Sequence, residues 1–166
     1  MKKICILGCP GSGKSTFSRK LHEITNIPLF HLDMLFWNAD KTSVDRETLR
    51  DRVDMVLQTP TWIIDGNYGS TLEQRISVCD TVFFFDLPAE LCLAGVVARR
   101  GKVRPDMPWI EMEEDPEFTE YIKSFSDTRR PDILGILKQH PHLTVVTFYT
   151  REEADEYLER LRSPSQ

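Results

Sequence analysis

Ile4-Cys5-Ile6-Leu7-Gly8-Cys9-Pro10-Gly11-Ser12-Gly13-Lys14-Ser15-Thr16 stands almost at the start of the chain, a short apolar run that breaks into glycines and ends on Lys-Ser-Thr. Four consecutive apolar residues read as a strand buried on both faces. The glycines between Gly8 and Gly13 let successive backbone amides turn inward around an anion, where side chains would obstruct them. Lys14 then offers a fixed positive charge to the β- and γ-phosphates of a nucleoside triphosphate. The Ser15 hydroxyl is placed to ligate Mg2+ at the start of a helix whose dipole also favours phosphate. Chance produces such a pattern in roughly one chain per hundred of this length. Here a strand precedes it and an amphipathic helix follows, which is the context a phosphate loop requires. The expected nucleotide-binding residues are therefore Gly8, Cys9, Pro10, Gly11, Ser12, Gly13, Lys14, Ser15 and Thr16, with Lys14 also catalytic.

Beyond the loop, short β-branched and aromatic runs alternate with amphipathic stretches, the pattern of βαβ units around a parallel sheet. Five strands are expected: Ile4–Leu7, Pro28–His31, Trp62–Asp65, Thr81–Asp86 and Leu143–Tyr149. A first helix carries Phe17, Leu21 and Ile24 on one face and ends near Asn26. A second spans Val44–Leu57 and stops before Pro60. The last opens with a capping box between Thr150 and Glu153. Between Gly101 and Pro116 the pattern dissolves into prolines and charges, which predicts a mobile lid. Glu117–Gln139 looks helical, with Pro131 expected to divide or kink it. Ser163–Gln166 reads as a frayed tail.

The length of 166 residues, 40% of them hydrophobic, predicts one domain over 1–166 with one core. Its 21 basic and 26 acidic residues disfavour a nucleic-acid ligand. Cys5, Cys9, Cys79 and Cys92 form neither a CxxC pair nor a zinc-spaced cluster, which suggests a reducing, cytoplasmic setting. No apolar run is long enough for an export signal or a membrane span, so no membrane partner is expected.

Several residues outside the loop are placed for chemistry. Asp65 ends an apolar strand at the sheet edge where α/β folds hold ligands, and can hold a magnesium-bound water. As Asp65-Gly66 it also fits an ordinary turn. Asp33 reaches the same edge after the second strand, where it can orient an acceptor hydroxyl and take its proton, or merely cap the segment that follows. His31 reads as a buried strand residue. Arg99, Arg100, Arg104, Arg129 and Arg130 flank the lid, and guanidiniums so placed can close over a transferring phosphoryl group. Cys9, although near a helix N-terminus that can lower a thiol pKa, reads as space-filling.

With these features assembled, the chain resembles the adenylate-kinase-like group of small P-loop kinases along nearly its whole length. Within it, His31-Leu32-Asp33 with Phe36-Trp37, Trp62 through Tyr68, and Arg104-Pro105-Asp106 look like the bacterial DNA topology modulation protein family. The resemblance implies an α/β three-layer P-loop NTPase fold with a five-stranded parallel sheet in the order 2-3-1-4-5, helices on both faces and a short lid. It implies ATP with Mg2+, an acceptor-binding region at about 34–60 and a lid at about 101–116. On that mapping Arg100 flanks adenine or phosphate, Arg129 and Arg130 reach the transferring group, and Thr150-Arg151 borders the base.

Nucleoside monophosphate kinases follow Asp-Gly with an aromatic residue, proline and arginine, whereas this chain continues Asn67-Tyr68-Gly69. The gripping arginine is missing, so Asp33, Asn67 and Tyr68 point to a neutral, hydroxyl-bearing acceptor. The expected protein is a monomeric or weakly dimeric kinase for an unidentified small molecule. The alternative is a nucleotide-dependent regulatory or DNA-topology-associated protein without that activity.

Overall fold

Ile4, Cys5, Ile6 and Leu7 are wholly buried because their strand is the middle of the sheet. The computed structural model describes residues 1–163, so the expected tail from residue 164 onward lies outside the described residues. In chain order the elements are β1 (Lys3–Gly8), α1 (Lys14–Thr25), β2 (Leu29–His31), α2 (Leu32–Phe36), α3 (Arg46–Leu57), β3 (Trp62–Asp65) and α4 (Gly69–Ile76). They continue with β4 (Thr81–Phe85), α5 (Ala89–Arg99), α6 (Pro116–Ser124), α7 (Arg129–Lys138), β5 (Thr144–Phe148) and α8 (Arg151–Arg162).

The five strands form one parallel sheet in the order β2-β3-β1-β4-β5, with helices on both faces. Its register sets the site. Ile6 lies beside Asp65, and His31 also lies beside Asp65 from the other side. Gly8 pairs with Phe85 on β4. The ends of β1, β2 and β3 therefore meet where the order reverses around β1, the place at which α/β sheets hold ligands.

The helix after the phosphate loop is pinned to the sheet by aromatic packing. Phe17 contacts Phe83, Phe85 and Phe148 at centroid distances of 5.0, 5.4 and 5.3 Å. Tilted and edge contacts of this kind add about 0.5–1.5 kcal/mol each beyond area burial. Leu21 is buried on the same stripe. In α3, Leu49, Val53 and Val56 form the buried face, and Asp45 caps the helix by accepting from the Thr48 amide at 2.7 Å. The capping box of α8 is present in both directions between Thr150 and Glu153.

Two expectations change. The helical stretch after residue 116 does not break at Pro131: α6 ends at Ser124 and α7 restarts at Arg129. Pro131 sits in the first turn of α7, where its missing amide hydrogen is no loss. Its ring is incompatible with an intrahelical carbonyl four residues earlier, so the break falls upstream. The 101–115 stretch has no helix or strand, as expected, yet it is tied to the body. Arg99 of α5 reaches the Glu111 carboxylate at 3.3 Å and Ser15 bonds to Asp106 at 3.1 Å, while inside the stretch the Gly101 amide donates to the Glu111 carbonyl at 2.7 Å and Arg104 reaches the Glu111 carboxylate at 3.3 Å. Among the described residues no helix is long and apolar enough to cross a membrane.

Candidate active site

The phosphate loop leaves β1 through Gly8 and enters α1 through Gly13 and Lys14. Gly11 has φ of +80°, and a Cβ there would stand 2.1 Å from the Cys92 carbonyl oxygen and 2.9 Å from a Val96 methyl. Backbone of α5 thus fills the space a side chain would need. We expect Gly11→Ala to destabilise the fold by about 2–5 kcal/mol, from left-handed backbone strain plus overpacking. A urea denaturation midpoint unchanged from wild type would refute this packing.

Other groups brace the loop. Asn67 donates to the Gly8 carbonyl at 2.7 Å and accepts from the Gly8 amide at 3.0 Å. Arg151 donates to the carbonyls of Gly11 and Leu91 at 2.8 and 3.0 Å. Cys9 is buried, and its hydrogen bond with Cys92, followed by burial, pushes the thiol far above its ordinary range. It fills space and is not activated. Pro10 lines the cavity beside the loop, and Thr16 is exposed on the first turn of α1.

The loop fits a phosphate on two observations. Lys14 Nζ donates to the Cys9 carbonyl at 3.0 Å, and burial pulls the ammonium below its ordinary pKa against the opposing pull of Asp65 and Cys9. A further anion beside it would restore the charged form. The Ser12 hydroxyl is completely buried and has no hydrogen-bond partner among the described residues. A phosphate oxygen is the kind of acceptor that such a donor requires.

Three oxygen-bearing side chains converge next to Lys14. Ser15 Oγ lies 2.8 Å from Asp65 Oδ2 and 3.1 Å from Asp106 Oδ2, with both aspartates almost fully buried. His31 Nδ1 lies 2.8 Å from the same Asp65 oxygen. Burial alone would raise the Asp65 pKa, but the His31 hydrogen bond and the Lys14 charge outweigh it, so the carboxyl sits below its ordinary value. It stays ionised. Among the described residues no cluster of three or more His, Cys, Asp or Glu forms an all-protein metal cage. A hydroxyl and two carboxylates suit Mg2+, which takes few protein ligands and keeps its remaining positions for water and phosphate oxygens.

The acceptor end begins at Asp33 in the first turn of α2, where it does not cap the helix, because His31 holds that position. The Tyr68 hydroxyl donates to Asp33 Oδ1 at 2.5 Å. Burial is the largest influence on Asp33 and raises its pKa, with the Asp65 and Asp106 charges adding to it. Burial also raises the Tyr68 pKa, so its proton stays on the phenol as a donor. Tyr68 and its neighbours are held from below by Arg75, which is wholly buried and donates to the carbonyls of Gly66, Asn67 and Tyr68 at 3.0, 2.6 and 3.3 Å.

Lys14, Ser15, Asp33, Asp65, Tyr68 and Asp106 all line one cavity of about 1250 Å³, as do Arg99, Arg100 and Arg129. Arg130 is a correction: its guanidinium is bound to Asp86 at 2.8–3.0 Å and does not line the cavity. Asn67 has its amide engaged by Gly8 instead of standing free for an acceptor. Arg151 braces the loop, and Thr150 before it caps α8. Asp106 and Arg75 lie outside the expected site residues, and His31, expected as a buried strand residue, also bonds to Asp65.

The comparisons with known proteins reach the fold. No family model and no curated protein match this sequence. Among solved structures, a shikimate kinase from Bacteroides thetaiotaomicron is similar at 17% identity, covering 96% of this chain and 95% of that one, with a TM-score of 0.66. A shikimate kinase from Acinetobacter baumannii, in complex with shikimate, is similar at 16% identity, covering 98% and 94%, with a TM-score of 0.65.

Proposed function

We propose that this protein is a small-molecule kinase that transfers the γ-phosphoryl group of ATP to a hydroxyl-bearing acceptor. The observation that carries this reading is the meeting in one cavity of the Lys14-Ser15 loop, the Asp65-Asp106 pair and the Asp33-Tyr68 pair. Binding of Mg-ATP alone requires only the first two, and the Asp33-Tyr68 pair is additional. The fold shared with shikimate kinases supports the reading as an analogy of architecture.

The three stretches that resemble the DNA topology modulation family support membership there. Asp33, Phe36 and Trp37 from the first, Asp65 to Tyr68 from the second and Asp106 from the third line the same cavity. No nucleic-acid ligand is part of this reaction. Residues 34–60 would supply the acceptor wall, and 101–116 the lid, in a single domain.

Mg2+, held by Ser15, Asp65 and Asp106, would neutralise charge on the β- and γ-phosphates. The residues do the rest. Tyr68 orients the Asp33 carboxylate, which accepts the proton of the acceptor hydroxyl. The hydroxyl oxygen forms a bond to the γ-phosphorus, the bond from that phosphorus to the β,γ-bridging oxygen breaks, and its electron pair leaves with ADP. Lys14, Arg99, Arg100 and Arg129 stabilise the charge that spreads over the phosphoryl oxygens. The carboxyl pair therefore divides its work by environment: Asp65 is kept ionised beside Lys14, whereas Asp33 is made a better proton acceptor by burial.

Incubation with ATP labelled at the γ-phosphate and a pool of small hydroxyl compounds tests the proposal. Label is expected in an organic phosphate ester. Label found only in inorganic phosphate, at the rate seen without the pool, would contradict it and favour a nucleotide-dependent switch.

A further inference from the structure

The acceptor wall is aromatic, and that constrains what it can bind. Phe36 packs against Trp37 at 5.0 Å and 78°, and against Tyr68 at 5.1 Å and 58°. Trp37 meets Trp109 of the 101–115 segment edge-on at 5.8 Å and 89°. Leu49 and Met107 line the same cavity. The rings thus run from Asp33 outward to the lid.

A short hairpin carries the rim. It is closed by the Trp37–Ser43 bridge and by the Asn38 amide donating to the Thr42 carbonyl at 2.8 Å. At its turn Lys41 adopts a left-handed conformation with φ of 69°, and its ammonium stands 5.3 Å from the centroid of the Trp109 ring. The Lys41 ammonium thus rests over the Trp109 ring, and a ligand ring seated on that face would take its place.

The cavity as a whole is richly polar, but Lys14, Ser15, Asp65, Asp106, Arg99, Arg100 and Arg129 serve the nucleotide end in the reading above, and Glu113, Glu114 and Asp115 are exposed. Asp33 and Tyr68 are bonded to each other and converge on one point, while Lys41 and Arg46 stand exposed at the mouth. An acceptor with several hydroxyls would bury some of them against Phe36, Trp37 and Trp109. Each buried hydroxyl left without a partner weakens binding by about fivefold to a hundredfold. Each aromatic contact strengthens it by about twofold to tenfold beyond area burial. The wall favours a ring and penalises a polyol.

We propose that the acceptor carries its reacting hydroxyl on a flat, largely apolar ring, which lies against Trp37, Trp109 and Phe36 while the hydroxyl reaches Asp33. This rests on the kinase reading above and narrows its substrate class. The transfer is the same balanced step: the ring alcohol's oxygen bonds to the γ-phosphorus, its proton goes to Asp33, and ADP leaves. Shikimate, a hydroxylated carboxylate bound by one similar structure, is not of this class.

The test measures ADP release from Mg-ATP with two sets of acceptors at equal concentration. Ring alcohols are benzyl alcohol, 4-hydroxybenzyl alcohol and pyridoxine; polyols are glycerol, myo-inositol and shikimate. At least one ring alcohol is expected to exceed every polyol in kcat/KM by about tenfold or more. Trp109→Ala is expected to raise KM for that alcohol by about tenfold with a smaller change in kcat, and Trp37→Phe, which keeps a ring, to raise it less. The inference is overturned if no ring alcohol outperforms the polyols, including the case in which none raises ADP release, or if Trp109→Ala leaves KM unchanged. Binding of Mg-ATP, measured by calorimetry on the same sample, separates the failures. A protein that binds Mg-ATP but prefers polyols loses only the ring-alcohol assignment, whereas one that binds no Mg-ATP loses the kinase reading and this inference together.

Discussion

Asp33→Asn is expected to lower acceptor-dependent phosphoryl transfer by about 10²- to 10⁴-fold while raising thermal stability at neutral pH. The two effects have one cause. Asp33 is buried, and burial raises its pKa above the ordinary 3.8. A carboxyl whose folded pKa is raised destabilises the fold as it ionises: the cost is absent below the unfolded value, grows as pH rises to the folded value, and is then constant. At pH 7, above the unfolded value, the cost is present. Asparagine removes the charge but keeps an oxygen for the Tyr68 hydroxyl. Each kcal/mol relieved raises the melting temperature of a chain this size by about 2–4 °C. Melting at pH 7 and again near pH 4 checks the sign, because the gap between variant and wild type should shrink on acidification. Wild-type transfer should rise with pH through the Asp33 pKa. A variant that keeps its activity would remove Asp33 from the proposed chemistry.

Lys14→Ala should reduce transfer by about 10²- to 10³-fold, the usual effect of losing one preorganised group at a developing charge. Nucleotide affinity should fall with it, since the ammonium serves both the bound phosphates and the transferring group. Lys14 touches the Cys9 carbonyl and is influenced by Asp65, so its loss also leaves the Ser15-Asp65-Asp106 group more negative. Steady-state kinetics with calorimetry of nucleotide binding reads both effects, and a melting curve confirms that the variant folds. Unchanged affinity and turnover would mean that the loop is not a phosphate cradle.

The strands were legible because burial on both faces leaves an unbroken apolar run. Trp62–Asp65 is observed with the expected bounds, and the other four strands differ by a residue at one or both ends. The phosphate loop was legible because backbone geometry dictates its glycines and local order dictates Lys14 and Ser15. Asp106 was not, since its role depends on residues 101–115 folding back to a hydroxyl 91 positions earlier. His31 looked like packing because its pairing with Asp65 follows from β2 lying beside β3, a fact of strand order and not of local pattern.

The arginine pair 129–130 divides between two environments. Adjacent residues on a helix point about 100° apart, which here sends the two guanidiniums to different partners. Arg129 faces the cavity, with its guanidinium 2.8 Å from where a Cβ on Gly69 would lie, and Arg130 turns to Asp86. Arg75 was hidden for a different reason. A buried arginine that donates only to nearby carbonyls and a threonine hydroxyl leaves no charge pattern in sequence.

The most direct test of the central claim is a calorimetric titration of the wild-type protein with ATP, in magnesium and again in chelator. If Gly8–Ser15, Asp65 and Asp106 form a Mg-ATP site, one nucleotide binds per chain in magnesium, and affinity drops sharply without the metal. Equal affinity in both buffers would contradict the metal assignment, and no binding in either would contradict the site itself.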